Sequence, residues 1–277
     1  MLLAAALLAL AQAAQAPPPA PAPLQTATAH QPRVIQLPND AIAAVPASAG
    51  PHPPLLILLH GADHRPLWML HQFADEADAR GLVLLAPTSK GVTWDAVRNA
   101  EGMPSRDSPL ANRLSHRFAL SRDADRVEAA IAALEKIVPV DHARTVLAGF
   151  SDGATFALAM GMSRAYAFSS VIAWSPGIAI RTAHAARGRK VLVSHGRSDR
   201  TLKFGVTCGE IVPMLQSEGA DVTFLPFDGT HEMPAEVKDA FLDAAFGAVV
   251  GRPARPLPAN VERCAGAKAD VPGLGAR

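Results

Sequence analysis

A chain of 277 residues with 49% hydrophobic and 18% charged residues has the composition of a folded protein with a sizeable core, which excludes a disordered chain. Its length fits one large domain or two small ones. The formal net charge of +1 leaves no basic excess of the kind a nucleic-acid binder gathers on one face.

Residues 1–16 (MLLAAALLALAQAAQA) form a short apolar segment ending in Ala14-Gln15-Ala16, a small-residue cleavage pattern. The segment is too short to span a bilayer comfortably and no Lys or Arg stands near its start, so it reads as a signal peptide of incomplete pattern. Export to the periplasm or medium is the expectation. Residues 17–30 are Pro/Ala-rich and read as an extended linker. Residues 31–250 read as the structured domain. The tail 251–277, rich in Pro, Ala, Gly and Arg, lacks apolar periodicity. Two cysteines occur, Cys208 and Cys264. In an exported protein they either pair, pinning the tail to the domain, or remain two thiols.

Within the domain, short apolar runs alternate with helical patterns. Leu55–Leu59 reads as a buried strand ending at His60-Gly61, residues 68–80 as a helix, and Leu82–Leu85 as a second buried strand. Residues 123–137 carry apolar side chains at helical spacing (Val127, Ala130, Ile131, Leu134). Thr145–Ala148 is a strand breaking at Gly149, with a helix resuming over 154–162. Further strands are predicted at 168–174, 190–195 and 221–226, and helices at 203–218 and 234–249. Alternation of this kind specifies an α/β fold with a mostly parallel central sheet covered on both faces, whose ligands bind at the carboxyl ends of the strands. Residues 97–122, with five arginines, read as a polar loop: a solvated insertion or a lid.

The chemistry-bearing residues fall at predicted strand ends. Gly149-Phe150-Ser151-Asp152-Gly153 matches G-x-S-x-G between a strand and a helix, the context in which a strained turn presents a serine nucleophile. A hydroxyl needs a general base at neutral pH, and the base an orienting acid, in the chain order Ser, Asp or Glu, His. Asp199 follows the strand 190–195 and His231 follows the strand 221–226. His195 lies too close to its strand to be preferred as base, and Asp228 pairs with Gly229 as a turn former. The backbone N–H groups of Ala62, after the first buried strand, and of Asp152, after the nucleophile, are the expected oxyanion donors. Trp68, Trp94, Phe118, Phe150 and Trp174 either line an acyl pocket or pack in the core.

The set HGAD (60–63), TWD (93–95), GFSDGA (149–154), SHGRSD (194–199) and DGTHEMP (228–234) resembles the phospholipase/carboxylesterase-like branch of the α/β-hydrolases, with similarity to secreted polyester depolymerase-like esterases. The resemblance covers about residues 55–250. It implies a serine esterase acting through an acyl-enzyme on a small or oligomeric ester, with Ser151, Asp199 and His231 as a triad. Two departures stand out: Asp152 replaces the Gln common in this branch, and Asp63-His64 follow the oxyanion loop. The same residues would serve a peptidase or acyltransferase, and a non-catalytic exported binding protein is the reading of a different class. His231-Glu232 lacks the second histidine of H-E-x-x-H, and neither G-x-G-x-x-G nor a P-loop occurs, so no metal or nucleotide cofactor is expected. No later segment is apolar enough to span a membrane, and oligomeric state is open.

Overall fold

The computed structural model describes residues 31–101, 121–163, 165–182, 185–253 and 257. The expected leader 1–16 and linker 17–30 lie outside these, as do Cys264 and nearly all of the tail 251–277. Most of the expected loop 97–122 lies outside them too.

Among the described residues, eight strands form one sheet: β1 (Arg33–Gln36), β2 (Ile42–Val45), β3 (Pro54–Leu59), β4 (Val83–Ala86), β5 (Asp141–Phe150), β6 (Ser170–Trp174), β7 (Lys190–Gly196) and β8 (Asp221–Phe227). Their order is β1-β2-β4-β3-β5-β6-β7-β8. β1 and β2 pair antiparallel at one edge, and all pairings from β4 to β8 are parallel. β3 is buried along its whole length, which explains its unbroken apolar run. Alternate side chains feed two cores. Leu55, Ile57 and Leu59 join Leu147, Phe156 and Val191 on one face, while Leu56 and Leu58 join Phe73, Trp174 and Phe241 on the other. Each such side chain contributes roughly 1.5–3 kcal/mol on burial.

Besides a short 3-10 turn at Pro38–Asp40, seven helical elements flank the sheet among the described residues: α1 (Pro66–Gln72), α2 (Ala74–Arg80), α3 (Asp95–Ala100), α4 (Arg122–Glu135), α5 (Asp152–Met162), α6 (204–217) and α7 (Ala235–Phe246). The helix expected over 68–80 is two, broken at Phe73, whose φ of −121° leaves the helical range. The break lets the Phe73 ring seat against Trp174 at 5.4 Å. α6 is also interrupted. Its middle, Thr207–Ile211, is wound as a π-turn in which Val212 N–H reaches back to Thr207 O. Pro213 follows, and a proline has no N–H and crowds the carbonyl four residues earlier, which favours local widening. The predicted polar loop 97–122 begins inside α3, where Val97 is buried.

β3 lies between β4 and β5, so the chain leaves β3 toward one edge of the sheet, to β4, and leaves β5 toward the other, to β6. Crevices at such a reversal receive ligands in parallel sheets. Gly61 and Ser151 stand at the carboxyl ends of these neighbouring strands.

Candidate active site

Ser151 occupies the single residue between β5 and α5, at φ 58°, ψ −123°, in left-handed space that an L-residue rarely adopts. Its N–H donates to Trp174 O at 2.9 Å, anchoring the turn to β6. The flanking glycines are required by close approach. A Cβ on Gly149 would collide with the Gly153 carbonyl, and one on Gly153 with the Leu59 carbonyl. The side-chain-free faces let α5 rise directly against β3 and β5.

His231 Nε2 stands 2.9 Å from Ser151 Oγ, and His231 Nδ1 stands 2.7 Å from Asp199 Oδ2. Asp199 Oδ1 accepts the N–H groups of Thr201 (2.8 Å) and Leu202 (2.9 Å). Burial alone would raise the Asp199 pKa. The His231 hydrogen bond and the two amides outweigh it and hold the carboxyl below its usual range. Asp199 is therefore an ionised acceptor, so the proton between it and His231 lies on Nδ1, and in the neutral ring Nε2 then faces the serine hydroxyl as the acceptor.

The loop after β3 is clamped by His60. This fully buried ring accepts the Ser89 N–H on Nε2 at 3.1 Å, so Nδ1 carries the proton and donates to Gly61 O at 2.7 Å. Trp94 stacks on the ring at 4.7 Å and donates Nε1–H to His60 O at 2.8 Å. Because no peptide here is cis, pinning Gly61 O on one side aims the Ala62 N–H the other way, away from His60. Gly61 abuts the serine: a Cβ there would stand 3.3 Å from Ser151 Cβ and 3.8 Å from Oγ. Among the described residues, neither the Ala62 nor the Asp152 amide finds an acceptor. Asp63 turns to Arg65 at 3.0 Å, both exposed, and His64 Nε2 contacts Ser89 O at 2.9 Å.

A model of the phospholipase/carboxylesterase family matches residues 40–240. The chain belongs to this family. Its fold is the α/β-hydrolase fold, and its class is that of the carboxylic ester hydrolases. Among solved structures, esterase PE8 superposes with a TM-score of 0.56 at 22% identity, covering 76% of this chain and 100% of its own. The Bacillus cereus carboxylesterase gives 0.53 at 21% identity, covering 74% and 94%. The Aspergillus awamori acetyl xylan esterase gives 0.55 at 13%, covering 78% and 98%. At these identities the likeness is one of fold. No curated protein matches the sequence.

The aromatic residues of this family member divide between core and rim. Trp94 and Trp174 are fully buried, Trp94 stacked on Phe156 at 4.7 Å and Trp174 beside Phe73. Phe118 lies outside the described residues. Phe150 sits 4.8 Å from the His231 ring and 5.8 Å from Trp68. With Trp68 37% and Leu67 53% exposed, α1 offers an apolar edge leading outward from the histidine. Three further residues join the site in roles the sequence did not assign: His60, His195 and Thr207. His195 Nε2 lies 3.1 Å from Asp199 Oδ2 and its Nδ1 lies 2.8 Å from Thr207 Oγ1. For His60 and His195 the sequence signal is polarity at otherwise apolar strand ends; Thr207, inside α6, carries none. No group of three potential metal ligands occurs among the described residues, and none of their helices is long and apolar enough to cross a membrane.

Proposed function

We propose that the protein hydrolyses carboxylic esters through an acyl-enzyme on Ser151. His231 takes the Ser151 proton as Oγ attacks the ester carbonyl and returns it to the leaving alcohol; water, activated by the same imidazole, then releases the acid. Asp199 keeps His231 in the Nδ1–H tautomer and stabilises its charged form. The amides of Ala62 and Asp152 receive the oxyanion, the second at the N-terminus of α5 where the helix dipole favours negative charge. The observation that carries this reading is the unbroken chain from Ser151 Oγ through His231 to Asp199, at 2.9 and 2.7 Å.

The test is p-nitrophenol release from acetate, butyrate and octanoate esters by the wild type and by Ser151→Ala. Loss of about 10³-fold or more in kcat is expected. Equal rates in both proteins would remove Ser151 as nucleophile. The chain-length profile sizes the acyl site, where the apolar edge of Leu67, Trp68 and Phe150 favours longer or aromatic groups.

Export is proposed on the leader-like residues 1–16. Fractionation of the native host with N-terminal sequencing tests this. A shortened chain in the periplasm or medium is expected; a chain starting at Met1 in the cytoplasm would overturn it.

A further inference from the structure

His195 ends the apolar stretch of β7 fully buried, four residues before Asp199. Its Nε2 stands 2.9 Å from Leu202 O and 3.1 Å from Asp199 Oδ2. Both oxygens only accept, so the nitrogen between them carries the proton and shares it with both. In the neutral ring Nδ1 is then bare and accepts the Thr207 hydroxyl at 2.8 Å. Thr207 Oγ1 is also 2.8 Å from Pro176 O. One hydroxyl proton serves one of these acceptors at a time, and donation to Pro176 O would require an imidazolium at residue 195. Burial opposes that charge and holds the His195 pKa below the ordinary histidine range, against the pull of Leu202 O and Asp199. The carboxylate is thus saturated, with two amides on Oδ1 and two imidazoles on Oδ2.

We infer that His195 is a positioning residue of the esterase site, donating from Nε2 to the Asp199 oxygen that holds His231. The inference rests on the proposed triad. An oxygen shared between two N–H donors cannot swing out of the His231 ring plane, and it offers less negative charge to each donor than it would to one. His195 therefore aims the carboxylate that orients the His231 ring. The titratable groups facing His195 are Asp199, from its own loop, and His231, from the loop after β8. α6 presents Thr207 and the edge of the Phe204 ring, whose centroid is 6.0 Å away.

The experiment compares kcat and KM for p-nitrophenyl butyrate in the wild type, His195→Phe and His195→Gln. Phe preserves ring and volume without the donor, whereas Gln restores an N–H. For His195→Phe, kcat is expected to fall roughly 10- to 100-fold, in the range for outer-shell partners of a site, with KM nearly unchanged. His195→Gln should recover most of the lost kcat. Wild-type kcat in His195→Phe would overturn the inference. If that variant does not fold, ¹H–¹⁵N spectra of the wild type decide: Nε2 protonated and Nδ1 bare supports it, and the reverse tautomer overturns it. Ser151→Ala separates the two levels. Activity surviving in Ser151→Ala rejects the triad itself, whereas an inactive Ser151→Ala beside a wild-type His195→Phe rejects His195 alone.

Discussion

The side chains around Ser151 fall into two groups that differ in how they can be found. Ser151, Asp199 and His231 each follow a recognisable apolar strand in the chain order that the fold imposes, so their meeting was legible from the sequence. His60 and His195 act sideways, on partners set by strand register. The Ser89 N–H that fixes the His60 tautomer comes from the loop after the adjacent β4, which no local pattern announces. Proximity to the strand argued against His195 as the base, and that same placement brings it to Asp199. His60 also has a measurable signature. Its burial, despite the favourable Gly61 carbonyl, lowers its pKa from 6.5 to about 4. The unfolded chain takes up this proton below about pH 6.5 and the folded one resists it to about pH 4. The contribution is therefore fully present above pH 6.5 and lost as pH falls toward 4, at a cost of roughly 3 kcal/mol. Urea midpoints across pH 4–7 should fall steeply toward acid, and less steeply in His60→Gln. An identical slope in both would refute this account; His195, displaced in the same direction, accounts for part of the remaining slope.

At the scale of elements, helices and buried strands announce themselves by period, while edges and interruptions do not. β1 and β2 escaped the reading of 31–54 because an edge hairpin lacks a continuous apolar run, and all four β1 residues are at least partly exposed. The break at Phe73 and the π-turn before Pro213 preserve the apolar stripe that predicted one helix in each place. The tightest joint is that of β3, β5 and α5. Gly153→Ala sets a methyl against the Leu59 carbonyl, a backbone atom that cannot rotate away. A loss of about 2–3 kcal/mol in stability is expected from chemical denaturation. Esterase activity should fall as well, since Ser151 and Gly61 are carried on the same joint. An unperturbed variant would mean that α5 can slide along the sheet.

For the whole molecule, the decisive feature is the reversal between β3 and β5, which the strand–helix alternation implied only in general form. Gly61 and Ser151 come from its two sides, and Asp199 and His231 from the ends of β7 and β8. The groups that meet within 3 Å, Ser151, His231 and Asp199, are thus spread over residues 151–231, with Gly61 packed beside the serine from still earlier in the chain, and all are joined by parallel crossovers and not by hairpins. Pairings of this kind close long loops before any contact rewards them, and they form late. Hydrolytic competence is accordingly a clock for folding. After dilution from denaturant, p-nitrophenol release should reappear no earlier than the slowest change in tryptophan fluorescence. Collapsed intermediates would carry most of their helices and no activity.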